Sequence, residues 1–137
     1  MKKILILMLV AVSNGVYSGG LLDQCWPEGK SKYFAEQCLD DLVLDKQRQI
    51  KILNAKLDVH VLERESDQYT DAFKGLSQTH KQERLSFNTY LNDHCSTYVD
   101  TINGGLGTGM KLSTLECEAM ILEQRINVLQ SFLSDMQ

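Results

Sequence analysis

Between Leu115 and Leu133 the apolar residues Leu115, Ala119, Leu122, Ile126, Leu129 and Leu133 recur in steps of four, three, four, three and four. That spacing draws a single narrow stripe along a helix of 3.6 residues per turn, the width expected of a seam against one other helix. Ser113-x-x-Glu116 stands in front of the stripe with the spacing of a capping box, which predicts that the helix opens there. Leu39, Val43, Ile50, Leu53, Leu57 and Val61 step mostly by three, four or seven and predict a long helix over 32–64. Phe87, Leu91, Cys95, Tyr98 and Ile102 step by four, four, three and four. Only one proline, Pro27, occurs in 137 residues, so nothing interrupts these runs. The expected fold is all-α: a disulfide-stapled bundle of about three long helices, the last two forming an antiparallel hairpin.

Local chemistry fills in the ends. Trp26-Pro27-Glu28-Gly29 reads as a turn ahead of the first long helix. Ser66-Asp67 can cap a second helix, with Tyr69, Phe73 and Leu76 on its inner side and Gly75 as a potential break. Lys46, Arg48, Lys51 and Lys56 alternate with Asp40, Asp41, Asp45 and Asp58, the pattern of a solvated, salt-laced helix face.

The start of the chain carries a different signal. Lys2 and Lys3 precede a wholly apolar run from Ile4 to Val12, and Ser13-Asn14-Gly15 ends it. This is the three-part pattern of a secretory signal, too short for a spanning helix of roughly 20 residues. Small residues at Val16 and Ser18 favour cleavage before Gly19, with Ala11-Val12-Ser13 as the second choice; the first gives a signal peptide over 1–18 and a single domain over 19–137. Asp23, two residues ahead of Cys25, spoils a lipoprotein-type acceptor site. The expectation is a periplasmic or secreted protein with no membrane association after cleavage.

The whole chain carries a formal charge of −4; the segment 1–18 takes away two lysines and no acids, leaving 12 basic against 18 acidic residues, or −6. Nucleic-acid binding needs clustered Lys and Arg to displace phosphate counterions, so a nucleic-acid partner is not expected. In an exported domain of this size four cysteines read as two disulfides. Four cysteines allow three connectivities. Their order favours neighbours, Cys25 with Cys38 and Cys95 with Cys117, the latter across the glycine-rich stretch Asn103-Gly104-Gly105-Leu106-Gly107-Thr108-Gly109.

Catalytic and cofactor chemistry finds little support. Gly104 and Gly109 have the spacing of a phosphate-binding loop, but Met110 stands where its lysine belongs and no strand precedes it. A helix-connecting turn is the better reading. His60, His80 and His94 match no metal-ligand spacing, and no Cys-x-x-Cys pair exists. No serine sits in a nucleophile-elbow pattern, and a disulfide-bonded cysteine offers no thiolate. The chain is therefore read as a non-enzyme with no cofactor and no metal.

Phe87 and Tyr90 precede Cys95, Gly104-Gly105 follow, and Cys117 is succeeded by Arg125 and Leu129 at eight and twelve residues. In this order and spacing, with Cys25 and Cys38 at its opening, the stretch from about residue 25 to 133 resembles a divergent member of the family named for the N-terminal domain of LprI-type lysozyme inhibitors. The family comprises exported, cysteine-bearing helical domains of bacteria. Phe87 stands where that family usually has Trp, and Leu91-Asn92 where Arg-Asp are common. The resemblance implies structural roles for Phe87, Tyr90, Arg125 and Leu129, and an envelope protein that binds a basic c-type lysozyme. Opposite charge would speed that encounter. The partner-binding candidates are the loop residues Asn103, Gly104, Gly105, Leu106 and Thr108, with Asp93 and Asp100 beside them. A periplasmic immunity or adaptor protein that neutralises a secreted toxin is the alternative; a structural or virulence-associated secreted protein without lysozyme activity is another.

Overall fold

The computed structural model describes residues 20–67, 71–98, 101 and 109–136. Four helices make up the described residues: α1 (Leu21–Cys25), α2 (Lys32–Glu65), α3 (Leu76–Asn92) and α4 (Met110–Asp135), with α3 continuing into a π-helical segment, Asp93–Tyr98. No strand occurs among them, and the protein is an all-α bundle. The expected signal segment over 1–18, Tyr69, Asp100 and the loop residues Asn103, Gly104, Gly105, Leu106 and Thr108 lie outside the described residues.

The reversal between α1 and α2 is built by the predicted Trp26–Gly29 turn. Gly29 takes a left-handed φ of +81°, open to glycine without steric cost, and the Lys30 amide donates to the Pro27 carbonyl at 3.1 Å. The Trp26 indole N–H closes the turn on the Lys30 carbonyl at 2.9 Å. The Ser31 hydroxyl then accepts the Phe34 amide at 3.3 Å and starts α2, whose 34 residues contain neither Gly nor Pro.

Two expected caps serve other purposes. Ser66 closes α2 instead of opening α3, its hydroxyl donating to the Glu63 carbonyl at 2.8 Å. α3 begins ten residues later, behind Gly75 at φ +78°. Its free amides are met from outside: Glu65 accepts from Gly75 N at 2.8 Å and from Ser77 N at 3.3 Å. The Ser77 side chain, followed by these two amides, holds the Glu65 carboxyl below its usual range. The Ser113–Glu116 pattern is likewise not a capping box, because α4 already opens at Met110 and Ser113 lies within its first turn. Glu116 instead accepts the Leu22 amide at 3.0 Å, capping α1 across 94 residues of sequence.

α2 and α4 share the most extensive contact in the molecule. They run parallel, as Lys111 with Glu36 and Lys46 with Glu123 show at successive levels. Ala35, Leu39 and Val43 of α2 interlock with Leu112, Leu115, Ala119 and Leu122 of α4, and Cys25 of α1 plugs the lower end. Higher up, Leu57 and Val61 of α2 and Ile126 and Leu129 of α4 are also buried. The apolar stripe on α4 is thus a seam against α2. α3 contributes no fully buried residue and is held at the side, antiparallel to α4.

The disulfides pair as neighbours. Cys25–Cys38 ties α1 to the second turn of α2, and Cys95–Cys117 ties the π-helical end of α3 to α4, with Cα separations of 5.5 and 5.6 Å. Cys95 is completely buried, as its place on the apolar stripe requires.

Candidate functional site

α3 packs against α2 but hardly approaches α4, and its inner side is not uniformly apolar. Asn88 and Asn92 follow each other by four residues on that side, between Arg84, Phe87 and Leu91. The result is a trough of about 720 Å³ between α2, α3 and α4. Its floor is Ile50, Phe87, Leu91 and Leu122; Gln47, Asn54, Asn88 and Asn92 supply carboxamides along the walls. The volume falls within the range of ligand-binding clefts, about 300–1,000 Å³.

The trough is electrically polarised. At one end stands Glu118, half-buried, whose carboxyl is raised above its usual range by burial and then by the charge of Asp40. Neither Glu118 nor Asp40 forms an ion pair among the described residues. At the other end Arg84 is 3.0 Å from Asp58, and Arg125 grips Glu83 with both terminal nitrogens at 2.6 and 2.5 Å. Arg125 also lies over the Phe87 ring at 4.9 Å. Two polar atoms on trough-lining side chains, Asn54 Oδ1 and Arg125 Nε, are buried and meet no hydrogen-bond partner among the described residues.

Two of the four family-motif residues therefore meet. Phe87 and Arg125 stack on each other in the lining of the trough, whereas Leu129 is buried on the apolar stripe of α4. Tyr90 points to solvent and stacks on His94 with ring centroids 5.3 Å apart. Asp93 is exposed at the start of the π-helical segment. Asn54, Asn88, Asn92 and Glu118 are absent from the sequence-based candidates. Asn54 had a readable signal: it sits four residues after Ile50 and three before Leu57, a carboxamide in the middle of a core stripe.

Two smaller surface features adjoin. Phe34, Leu42 and the Cys38 disulfide line a shallow groove of about 440 Å³ edged by Asp41 and Asp45. Asp40, Asp41 and Asp45 are exposed on this first half of α2 and form no ion pair among the described residues. No three His, Cys, Asp or Glu side chains converge in metal-holding geometry among the described residues. No helix there is long and apolar enough to cross a membrane. No family model, curated protein or solved structure matches the chain.

Proposed function

We propose that this protein is an exported, non-enzymatic binding protein of the bacterial envelope, like a lysozyme inhibitor, whose partner is a basic protein. The observation that carries the reading is the carboxylate face of α2: Asp40, Asp41 and Asp45 are exposed and without ion-pair partners among the described residues, beside an apolar groove formed by Phe34 and Leu42. Exposed carboxylates that no cation of the described residues neutralises, Asp45 included although it accepts a hydrogen bond from Gln49 at 2.7 Å, suit a partner rich in Lys and Arg, and the acidic charge of the chain accelerates association with it. Two disulfides suit an oxidising compartment. The resemblance of the Cys95–Leu129 stretch to LprI-type inhibitors makes a c-type lysozyme the first partner to try.

The test is lysozyme activity titrated with the oxidised protein. Inhibition at micromolar concentration or below, weakened by reversing Asp41 and Asp45 to Lys and by raising salt, is the expected result. No inhibition at tens of micromolar, roughly the weak limit of a useful inhibitor, removes lysozyme as the partner. Recovery of a secreted toxin in a pull-down would replace it with the immunity reading. Charge reversal at Asp93 and Asp100 tests the 103–108 loop separately.

A further inference from the structure

We propose that α2 carries a second, outward-facing seam, Ile52, Ala55, Val59 and Leu62, through which two copies of this chain pair antiparallel as a symmetric dimer. This goes beyond the basic-partner reading and does not depend on it.

The stripe belongs to the sequence and its exposure to the fold. Ile52, Ala55, Val59 and Leu62 step by three, four and three, the spacing of a two-helix seam. The core side of α2 lies elsewhere. Leu57 and Val61 are buried, whereas Ile52, Val59 and Leu62 are 58, 55 and 59% exposed, and Ala55 is exposed as well. Five residues turn a helix by roughly 140°, so Ile52 and Leu57 stand on well-separated sides. Three large apolar side chains thus share one face of α2 that the described helices leave uncovered. Such a patch marks an interaction surface.

Symmetry and charge select a second copy as the occupant. A spacing of three, four and three reads the same in both directions. An antiparallel copy therefore places Ile52 opposite Leu62 and Ala55 opposite Val59, each layer formed twice about a twofold axis level with Leu57. Lys51, Asp58 and Glu65 follow one flank of the stripe at steps of seven, and Lys56 and Glu63 follow the other. Parallel copies bring opposite flanks together and set Lys51 against Lys56 and Asp58 against Glu63, like charges on both sides. Antiparallel copies bring equal flanks together. Lys51 then stands level with Glu65 of the other copy, and Lys56 reaches along the seam to its Glu63. Lys51 and Lys56 are exposed and have no ion-pair partner among the described residues. Glu63 is met by His60 at 3.6 Å, and Glu65 by two neutral backbone amides that leave its charge in place. Asp58, which meets its own copy near the axis, is neutralised by Arg84 at 3.0 Å; Lys56, also near the axis, is long enough to turn toward Glu63. The paired stretch covers about residues 49–65 of each copy, so Asp40, Asp41 and Asp45 stay open at both ends of the dimer. So short a seam falls below the roughly 1,200 Å² of a standard interface, and the dimer is a weak one that forms at about 10–500 µM.

Sedimentation equilibrium of the oxidised protein over about 10–500 µM should show a reversible monomer–dimer equilibrium. Val59→Glu, at an exposed position, should weaken it roughly tenfold with an unchanged circular dichroism spectrum and thermal melt. Lys56→Glu separates the two orientations. In antiparallel copies it replaces the attraction to Glu63 by repulsion and should weaken the dimer roughly threefold. In parallel copies it would face Lys51 and strengthen the dimer. Adding Glu63→Lys to Lys56→Glu should restore the affinity. A monomer at every concentration, a dimer indifferent to Val59→Glu, or one that Lys56→Glu fails to weaken would overturn the proposal. The lysozyme titration is an independent readout: a dimer that responds to these substitutions without lysozyme inhibition keeps the seam and removes lysozyme as the partner.

Discussion

Arg125 of α4 lies over the ring of Phe87 of α3, its guanidinium carbon 4.9 Å from the ring centroid. With Glu83 gripped by its two terminal nitrogens, Arg125 links two helices whose backbones hardly approach each other, well along α3 from the Cys95–Cys117 bridge at its end. A planar fork stacked on an aromatic face cannot be imitated by an ammonium group. Arg125→Lys should therefore destabilise the protein almost as much as Arg125→Ala, by about 1–2 kcal/mol once the half-exposed Glu83 is discounted for solvent screening. Urea unfolding of both variants, with a double-mutant cycle against Glu83→Ala, measures it; a fully retained stability in Arg125→Lys would contradict the stacked geometry.

Leu39 is fully buried where α2 meets α4. Leu39→Ala should cost about 2–5 kcal/mol through lost burial and the cavity left behind. Leu44→Ala on the solvent face of the same helix should change stability by less than about 0.5 kcal/mol. Equal losses in the two chemical melts would show that the face of α2 has been misassigned.

The two disulfides close segments of 13 and 22 residues, and each is expected to contribute roughly 2–4 kcal/mol by restricting the unfolded chain. Their structural consequences should differ. Replacing Cys95 and Cys117 by Ser leaves the end of α3 without its covalent tie, so limited proteolysis should cut first near Asp93–Tyr98. Replacing Cys25 and Cys38 by Ser should instead speed amide exchange in α1, leaving α3 unaltered.

Glu65 and Glu118 depart from the usual carboxyl value of 4.5 in opposite directions. The lowered Glu65 stabilises the fold above 4.5, and this contribution disappears as pH falls through its folded value. The raised Glu118 opposes folding when ionised, and that opposition disappears as acid protonates it. At pH 7 Glu65→Gln should lower Tm and Glu118→Gln should raise it. Both differences from the wild type should shrink below 4.5, followed by circular dichroism melts at intervals of half a pH unit. A Glu118→Gln gain that persists unchanged into acid would point to something other than charge.

The amino-acid sequence by itself determined the helical class, the extent of α2 to within a residue and the stripe on α4, and it favoured the neighbour pairing of the cysteines that the structure shows. These are local properties: a 3.6-residue period repeats within one segment, and cysteines that share short loops meet readily. It did not determine which helix each stripe faces. The stripe on α4 fits α2 or α3 equally well in one dimension, and only packing seats it against Leu39 and Val43. The helix starts were misread for the same reason. Glu65 caps α3 and Glu116 caps α1, so orphan amides are satisfied by carboxylates from other helices, which no local motif encodes. Of the trough, Phe87 and Arg125 were legible through their spacing around the cysteines, and Asn54 was visible as a polar intruder on a core stripe. Their convergence with Asn88, Asn92 and Glu118 exists only because α3 leans away from α4, a distance fixed by three-dimensional packing and the Cys95–Cys117 bridge.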